Sequence, residues 1–318
     1  MIKKDVIIVG AGPAGLMLGN LLDKDYLILE KNKKPGKKLL ITGSGQCNFT
    51  NLENIRFFFE KYGYSKKFVR YALSKFSNKE VIKFFKNKGI QILKRKDKKV
   101  FPKSLKASDI LNVLTKDIKD KIICNEKVLK VNRKEDYFFI KTSNNTYRSK
   151  KLVIATGGRT YPNTGSTGDG YNFAKSLGIN IVKLKNGLSS INLENPLKAL
   201  SGISVNVNID LYRNNKKRDD YSGDILFTHK GLSGPVIINN SRYFIKGDRL
   251  KINFLKINFK SADKKIINIL KKHSKKQVKN ALLDLNLSEK LLKIILKDVD
   301  LEIKSAQLSK KNRKRIIH

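Results

Sequence analysis

Three glycines, Gly10, Gly12 and Gly15, carry the spacing Gly-x-Gly-x-x-Gly in a chain of 318 residues. Glycines so spaced bind a pyrophosphate. The first permits a tight turn, the second lets backbone approach the phosphates, and the third lets a helix pack on a strand. The anion then rests on the helix N-terminus, where free N–H groups and the dipole favour negative charge. Glu30 stands about 20 residues beyond the first glycine, where an acid that binds ribose belongs. These residues need a strand, a helix and a second strand to hold them. Val6, Ile7, Ile8 and Val9 are all β-branched and read as a buried parallel strand. Leu16, Met17, Leu18, Leu21 and Leu22 read as the helix, and Tyr26-Leu-Ile-Leu29 as the second strand ending in Glu30. Together they predict a dinucleotide site.

Composition narrows the setting. A chain of this length buries a large core and suggests two domains or one discontinuous assembly. No apolar run reaches the ~18 residues of a membrane span. Lys3-Lys4 before an apolar run has the look of a signal peptide, but Asp5, the glycines and the lack of a cleavage site oppose that reading. Cys47 and Cys124 are too few and too far apart for a disulfide framework or a Cys-x-x-Cys pair. A soluble cytoplasmic protein is expected, and no metal ligands are assigned. The net charge of +41 raises nucleic acid or anionic membrane as partners. Lysines outnumber arginines heavily and are scattered, and abundant Asn and Ile suggest AT-rich codons acting on a solvated surface. Bidentate recognition prefers arginine, so no specific nucleic-acid binding is expected, only weak, salt-sensitive association.

A second glycine-rich loop, Thr42-Gly-Ser-Gly-Gln-Cys-Asn-Phe-Thr-Asn51, combines Gly43 and Gly45 with hydroxyls, amides and Cys47. Such a loop can wrap an oxygen-rich ligand with backbone N–H groups. Residues 36–51, Gly-Lys-Lys-Leu-Leu-Ile-Thr-Gly-Ser-Gly-Gln-Cys-Asn-Phe-Thr-Asn, resemble a bacterial flavoprotein family, the aminoacetone oxidase-like or NAD(P)/FAD-dependent oxidoreductases, which includes a bile-acid-transforming flavoprotein. Three further segments carry the same resemblance. Leu152-Val-Ile-Ala155 runs into Thr156-Gly-Gly158, like a second FAD motif; Thr160 to Tyr171 holds Gly165, Gly168 and Gly170; and Phe227-Thr-His-Lys-Gly-Leu-Ser-Gly-Pro235 follows later.

The resemblance implies an α/β fold: a Rossmann-type FAD-binding domain (1–185) with an inserted β-barrel (186–261) and a small helical bundle (262–318). It implies FAD as cofactor and an FAD-dependent oxidoreductase acting on a small organic substrate. The cofactor set it implies is Gly10, Gly12, Pro13, Ala14, Gly15, Glu30, Lys31, Lys38, Gly43, Gly45, Cys47, Asn48, Val128, Thr156, Gly157 and Gly158. By that resemblance the backbone at Val128 reads adenine, and His229 acts as proton donor or polar clamp near the active site. A lone histidine is otherwise a structural residue, and for Cys47, which has no partner cysteine, a small buried hydrophobe is favoured over a place near the isoalloxazine. No second Gly-x-Gly-x-x-Gly follows a strand, so any nicotinamide, NAD(P)H, docks transiently rather than in its own domain. The family's members also continue past residue 318, returning to the barrel and adding a strand, glycine-rich loop and helix that close over the flavin's pyrophosphate. Their lack here implies either a truncated reading frame, the favoured explanation, or a shortened protein that binds flavin weakly, with a non-catalytic FAD- or nucleotide-binding remnant as the alternative function.

The remaining segments supply scaffold. Residues 52–120 read as helical, with Phe57, Phe58, Phe68, Tyr71, Phe76, Val81, Phe84 and Phe85 as core and Ser77 with Glu80 as a capping box. Val100-Phe-Pro102 reads either as a turn or, by the resemblance, as a segment near the flavin. Residues 122–156 read as strands, with a hairpin turn at 143–146 and a short strand near Tyr147. Ile203, Val205, Val207, Ile209 and Leu211 alternate as in a half-buried antiparallel strand, followed by a polar turn from Arg213 to Asp220. Residues 262–318 read as lysine-rich amphipathic helix.

Overall fold

The computed structural model describes residues 1–317. It divides into two compact units, Met1–Val182 and Lys183–His318. Within the first, β1 (Ile2–Val9) is followed by α1 (Pro13–Leu21) and β2 (Tyr26–Leu29). A two-residue strand β3 (Thr50–Asn51) leads to helices α2 (Ile55–Lys61), α3 (Lys66–Lys75) and α4 (Asn78–Asn87). Then come β4 (Ile92–Lys94), β5 (Lys99–Pro102), α5 (Ala107–Lys116) and β6 (Ile122–Ile123). The unit ends with β7 (Val128–Lys134), β8 (Tyr137–Thr142), β9 (Thr146–Ile154) and α6 (Asp169–Ser176).

The principal sheet runs in the order β6-β2-β1-β9-β8-β7. β1 lies parallel to both β2 and β9, in the register Ile8↔Ile28 and Ile8↔Val153, while β7, β8 and β9 form an antiparallel meander. Period-2 alternation divides the β1 side chains between two cores. Val6 and Ile8 pack with Leu16, Ile110 and Leu114 on the helical face, whereas Ile7 and Val9 pack with Val131, Ile140, Tyr147 and Phe173 on the other. A strand covered on both faces must be apolar throughout, which is why four consecutive β-branched residues stand there.

Several expectations need correction. Residues 52–120 are not wholly helical, because β3, β5 and β4 make a small antiparallel sheet. The expected short strand near Tyr147 is continuous with the one that reaches Ile154. Only the α4 part of the aromatic stripe is core, with Phe85 buried and Val81 and Phe84 packed beside it. Phe57, Phe68 and Tyr71 are 59%, 88% and 74% exposed, and no residue of α2 or α3 is buried. Helical spacing of aromatics reports a shared face, and says nothing of what covers it. The Ser77–Glu80 capping box does form at the start of α4.

The second unit contains a five-stranded antiparallel sheet built from β10 (Ile191–Asn192), β11 (Ser204–Arg213), β12 (Lys216–Thr228), β13 (Gly231–Ser233) and β14 (Arg249–Asn253), in the order β10-β13-β12-β11-β14. A short helix α7 (Pro235–Asn240) packs on it. Val207, Ile209 and Leu211 are buried, as the alternation requires. The polar run after Arg213 is mostly strand, with the turn confined to Asn214 and Asn215, both at positive φ. Two adjacent left-handed residues make a tight hairpin turn that Asn tolerates, and the polar residues beyond it sit on a solvated strand end. The helices α8 (Phe259–Lys272), α9 (Val278–Ala281), α10 (Glu289–Ile295) and α11 (Lys310–Ile317) follow, and Ile266, Ile269, Leu270, Leu282, Leu285 and Leu292 bury the apolar side of this region. Among the described residues no helix is long and apolar enough to cross a membrane.

Candidate functional site

A cleft of about 400 Å³ opens in the first unit at the carboxyl ends of β1, β2 and β9. That volume falls in the ordinary range of small-molecule sites, roughly 300–1,000 Å³. The turn from β1 into α1 forms its floor. Gly10 sits at φ +107°, and a Cβ there would stand 2.6 Å from the Ala155 carbonyl oxygen. A Cβ on Gly15 would stand 2.1 Å from the Gly10 carbonyl oxygen, so helix and turn touch backbone to backbone. Gly12 differs. It has no atom within 4 Å of its Cβ direction, and it lines the cleft. Pro13 opens the helix, no side chain caps that end, and no acid lies in the first turn. The free N–H groups there face the cleft with the positive end of the dipole.

Glu30 is 6% exposed and holds both margins of the turn. One carboxylate oxygen accepts the Ala11 N–H at 2.9 Å; the other accepts the Asn32 backbone N–H at 2.9 Å and its side-chain amide at 2.7 Å. A carboxylate has about four lone-pair sites, so Glu30 can still accept from a ligand hydroxyl. Glu30→Ala leaves these donors unpaired. The first unit should lose about 1–3 kcal/mol for each donor that water cannot reach, seen as a lower urea midpoint.

Side chains distant in sequence close the sides. Lys31 Nζ donates to Asp169 Oδ2 at 2.6 Å and to Thr167 Oγ1 at 2.7 Å, while Lys38 Nζ donates to the Thr160 hydroxyl at 2.7 Å and carbonyl at 3.0 Å. Burial pushes the Asp169 carboxyl up, but its bonds from Lys31 and Thr167 outweigh that and hold it below the usual carboxylate range. Glu126, also in the lining, behaves alike. Burial raises it, and hydrogen bonds from Thr142, Asn144 and Asn145 lower it further than burial raises it.

Of the residues named from the sequence, the cleft gathers Gly10, Gly12, Pro13, Ala14, Glu30, Lys31, Lys38, Val128, Thr156 and Gly157. Gly15 lies beneath the turn, and Gly158 stands beside the Tyr171 hydroxyl, outside the lining. Gly43, Gly45, Cys47 and Asn48 do not line it either. Their loop folds back on itself, with Gly43, Ser44, Gly45 and Cys47 at positive φ. Cys47 is 1% exposed in the core with Leu39 and Phe85, and burial pushes its thiol up against an opposing hydrogen bond with Thr42. A thiol so placed is a packed hydrophobe rather than a nucleophile. His229 lies exposed between β12 and β13 in the second unit.

The sequence reading missed Asn32, Gly36, Lys37, Glu126, Lys127, Ser166, Asp169 and Phe173 as lining residues. Asp169 and Ser166 stand in the glycine-rich stretch 160–171, so that stretch was a usable signal. Nothing local marks Asn32 or Phe173.

The comparisons with known proteins agree with this architecture. The HI0933-like protein Rossmann domain matches residues 4–233, and the HI0933-like protein barrel and H2TH domain matches residues 186–318. A ribosomal RNA dihydrouridine synthase of Escherichia coli is 31% identical over 268 residues, covering 80% of this chain and 64% of that protein. One of Haemophilus influenzae is 29% identical over 301 residues, covering 91% of this chain and 73% of that protein. A 3-dehydro-bile acid delta(4,6)-reductase of Clostridium scindens is 25% identical over 249 residues, covering 76% and 60%. The chain thus spans about two thirds of the length of these relatives. With both domain matches in chain order and together reaching from residue 4 to residue 318, the chain belongs to the HI0933-like family of flavoprotein oxidoreductases.

Proposed function

We propose that this chain binds FAD in the cleft of its first unit and is the cofactor-holding part of a flavin-dependent reductase. The observation that carries the reading is the open space over Gly12 at an uncapped helix N-terminus. The residues present fit the group. The first-turn N–H groups of α1 would hold the pyrophosphate, Glu30 would accept from a ribose hydroxyl, and backbone at Val128 would meet the adenine edge. Lys31 and Lys38, already tied to the 160–169 loop, would keep the cleft walls in place while Lys37 adds positive charge beside the phosphates. When bound, FAD supplies hydride transfer, and the protein supplies orientation and electrostatics. Titration of the purified chain with FAD, followed by flavin fluorescence, should show saturable binding. FMN, which lacks the adenylate half that these residues address, should bind far more weakly. Equal affinity for the two, or none for FAD, sinks the reading.

The substrate reading rests on the relatives. Dihydrouridine formation and reduction of a 3-oxo-delta(4,6) steroid both saturate a carbon–carbon double bond conjugated to a carbonyl, adding one hydride and one proton. A reductase of that type, drawing electrons from a transient nicotinamide, is the reaction class proposed here. Between the two substrates the net charge of +41 favours RNA. This departs from the expectation of no specific nucleic acid, which rested on the scatter of the lysines, the scarcity of arginine and the composition of AT-rich codons. Incubation of ribosomal RNA with the chain, FAD and NADPH, read by nucleoside mass spectrometry, should show uridine gaining two hydrogens. Turnover of a conjugated steroid enone with untouched RNA would reverse the choice.

A further inference from the structure

We propose that the paired helices α2 and α3 are a stacking platform for single-stranded RNA. Phe68 and Tyr71 stand three residues apart in α3, which places them on one helical face, and Tyr64 stands in the short 3-10 turn that joins α2 to α3. They are 98%, 88% and 74% exposed. Rings so bare are costly in water, and nothing in α2 or α3 is buried to repay the pair's formation.

The cations around the rings identify the occupant. Between residues 55 and 76 stand Arg56, Lys61, Lys66, Lys67, Arg70 and Lys75, against the single acid Glu60. Lys75 Nζ lies 5.7 Å from the centre of the Tyr71 ring, and the Arg70 guanidinium 5.9 Å from that of Phe59. A face that alternates flat rings with cations suits a strand carrying one base and one phosphate per unit, with bases stacked on rings and phosphates on ammonium and guanidinium groups. A folded protein partner of equal charge complementarity would need an acidic surface and offers no repeating flat faces. The proposal takes RNA as partner from the substrate reading above and its location from the α2–α3 surface. It does not depend on the flavin cleft, since no cleft residue belongs to α2 or α3.

The test measures anisotropy of a labelled short single-stranded RNA with the full chain at several salt concentrations. Phe68→Ala and Tyr71→Ala should each weaken binding about ten-fold with the salt dependence unchanged, as loss of one stacked base predicts. Lys67→Gln with Arg70→Gln should instead flatten the salt slope by about 0.7 for each phosphate no longer neutralised. All four side chains are exposed, so the unfolding midpoint and FAD affinity should stay at wild-type values, and the measurement of both guards against misfolding. Wild-type binding to RNA with unimpaired ring variants overturns the platform alone. A wild-type chain whose RNA retention vanishes at moderate salt overturns the RNA reading with it. Ring variants that change the oligomeric state or binding to anionic vesicles, with RNA affinity intact, assign the surface to those partners and reject this one.

Discussion

Gly12→Glu should abolish FAD binding while leaving the unfolding midpoint of the ligand-free chain unchanged or slightly raised. Gly12 has φ −81° and ψ −179°, a conformation open to any L-residue, and no atom lies within 4 Å of the added Cβ. The side chain therefore enters without strain. Its carboxylate occupies the N-terminus of α1, where it gains about 0.3–1 kcal/mol from the dipole and meets a pyrophosphate as a like charge. A loss of affinity of 100-fold or more, about 3 kcal/mol, is expected in the fluorescence titration. FAD binding within a few-fold of wild type would mean that the pyrophosphate lies elsewhere.

Gly15→Val should do the opposite, breaking the fold before it touches the ligand. The new Cβ stands 2.1 Å from the Gly10 carbonyl oxygen and 3.2 Å from the Ile8 Cγ2 methyl. Gly10 cannot retreat, because its own Cβ direction points at the Ala155 carbonyl oxygen only 2.6 Å away. Helix α1 must lift from the sheet, opening the core where Leu16 packs with Ile8 and Leu114. Overpacking against backbone at such a point costs about 3 kcal/mol or more, which urea unfolding of the first unit should register as a large fall in midpoint. A wild-type midpoint would show that α1 does not rest on the turn as described. The two glycines stand three residues apart, and the pair of variants separates ligand space from packing space.

Much of this was legible in local sequence. A four-residue β-branched run must be covered on both faces, and Val6 to Val9 are. Glycine spacing reports backbone approach, and Gly10 and Gly15 stand where backbones meet. The Ser77–Glu80 box closes within a single turn of helix, so residues three apart were enough to read it.

Other features depend on partners far along the chain, and these needed the folded molecule. Lys31 and Asp169 are separated by 138 positions, and only the return of β9 alongside β1 brings them within 2.6 Å. Asn32 joins the cleft through the Thr164 carbonyl, 132 residues on. The loop from Thr42 to Asn51, rich in the same residue types as the phosphate turn, folds inward around Cys47 instead of lining the cleft. Residue type could not separate the two loops, because backbone donors serve a ligand or the chain itself depending on what lies opposite. The aromatics of α2 and α3 make the same point in reverse. Their spacing set a common face on a helix, and burial of that face was decided by whether another element came to cover it. By itself the sequence determined the elements, the turn that joins them and the spacing of the cleft's glycines, because those are properties of neighbouring residues. Tertiary structure alone decided which loops reach the cleft and which rings face water, because both depend on long-range packing.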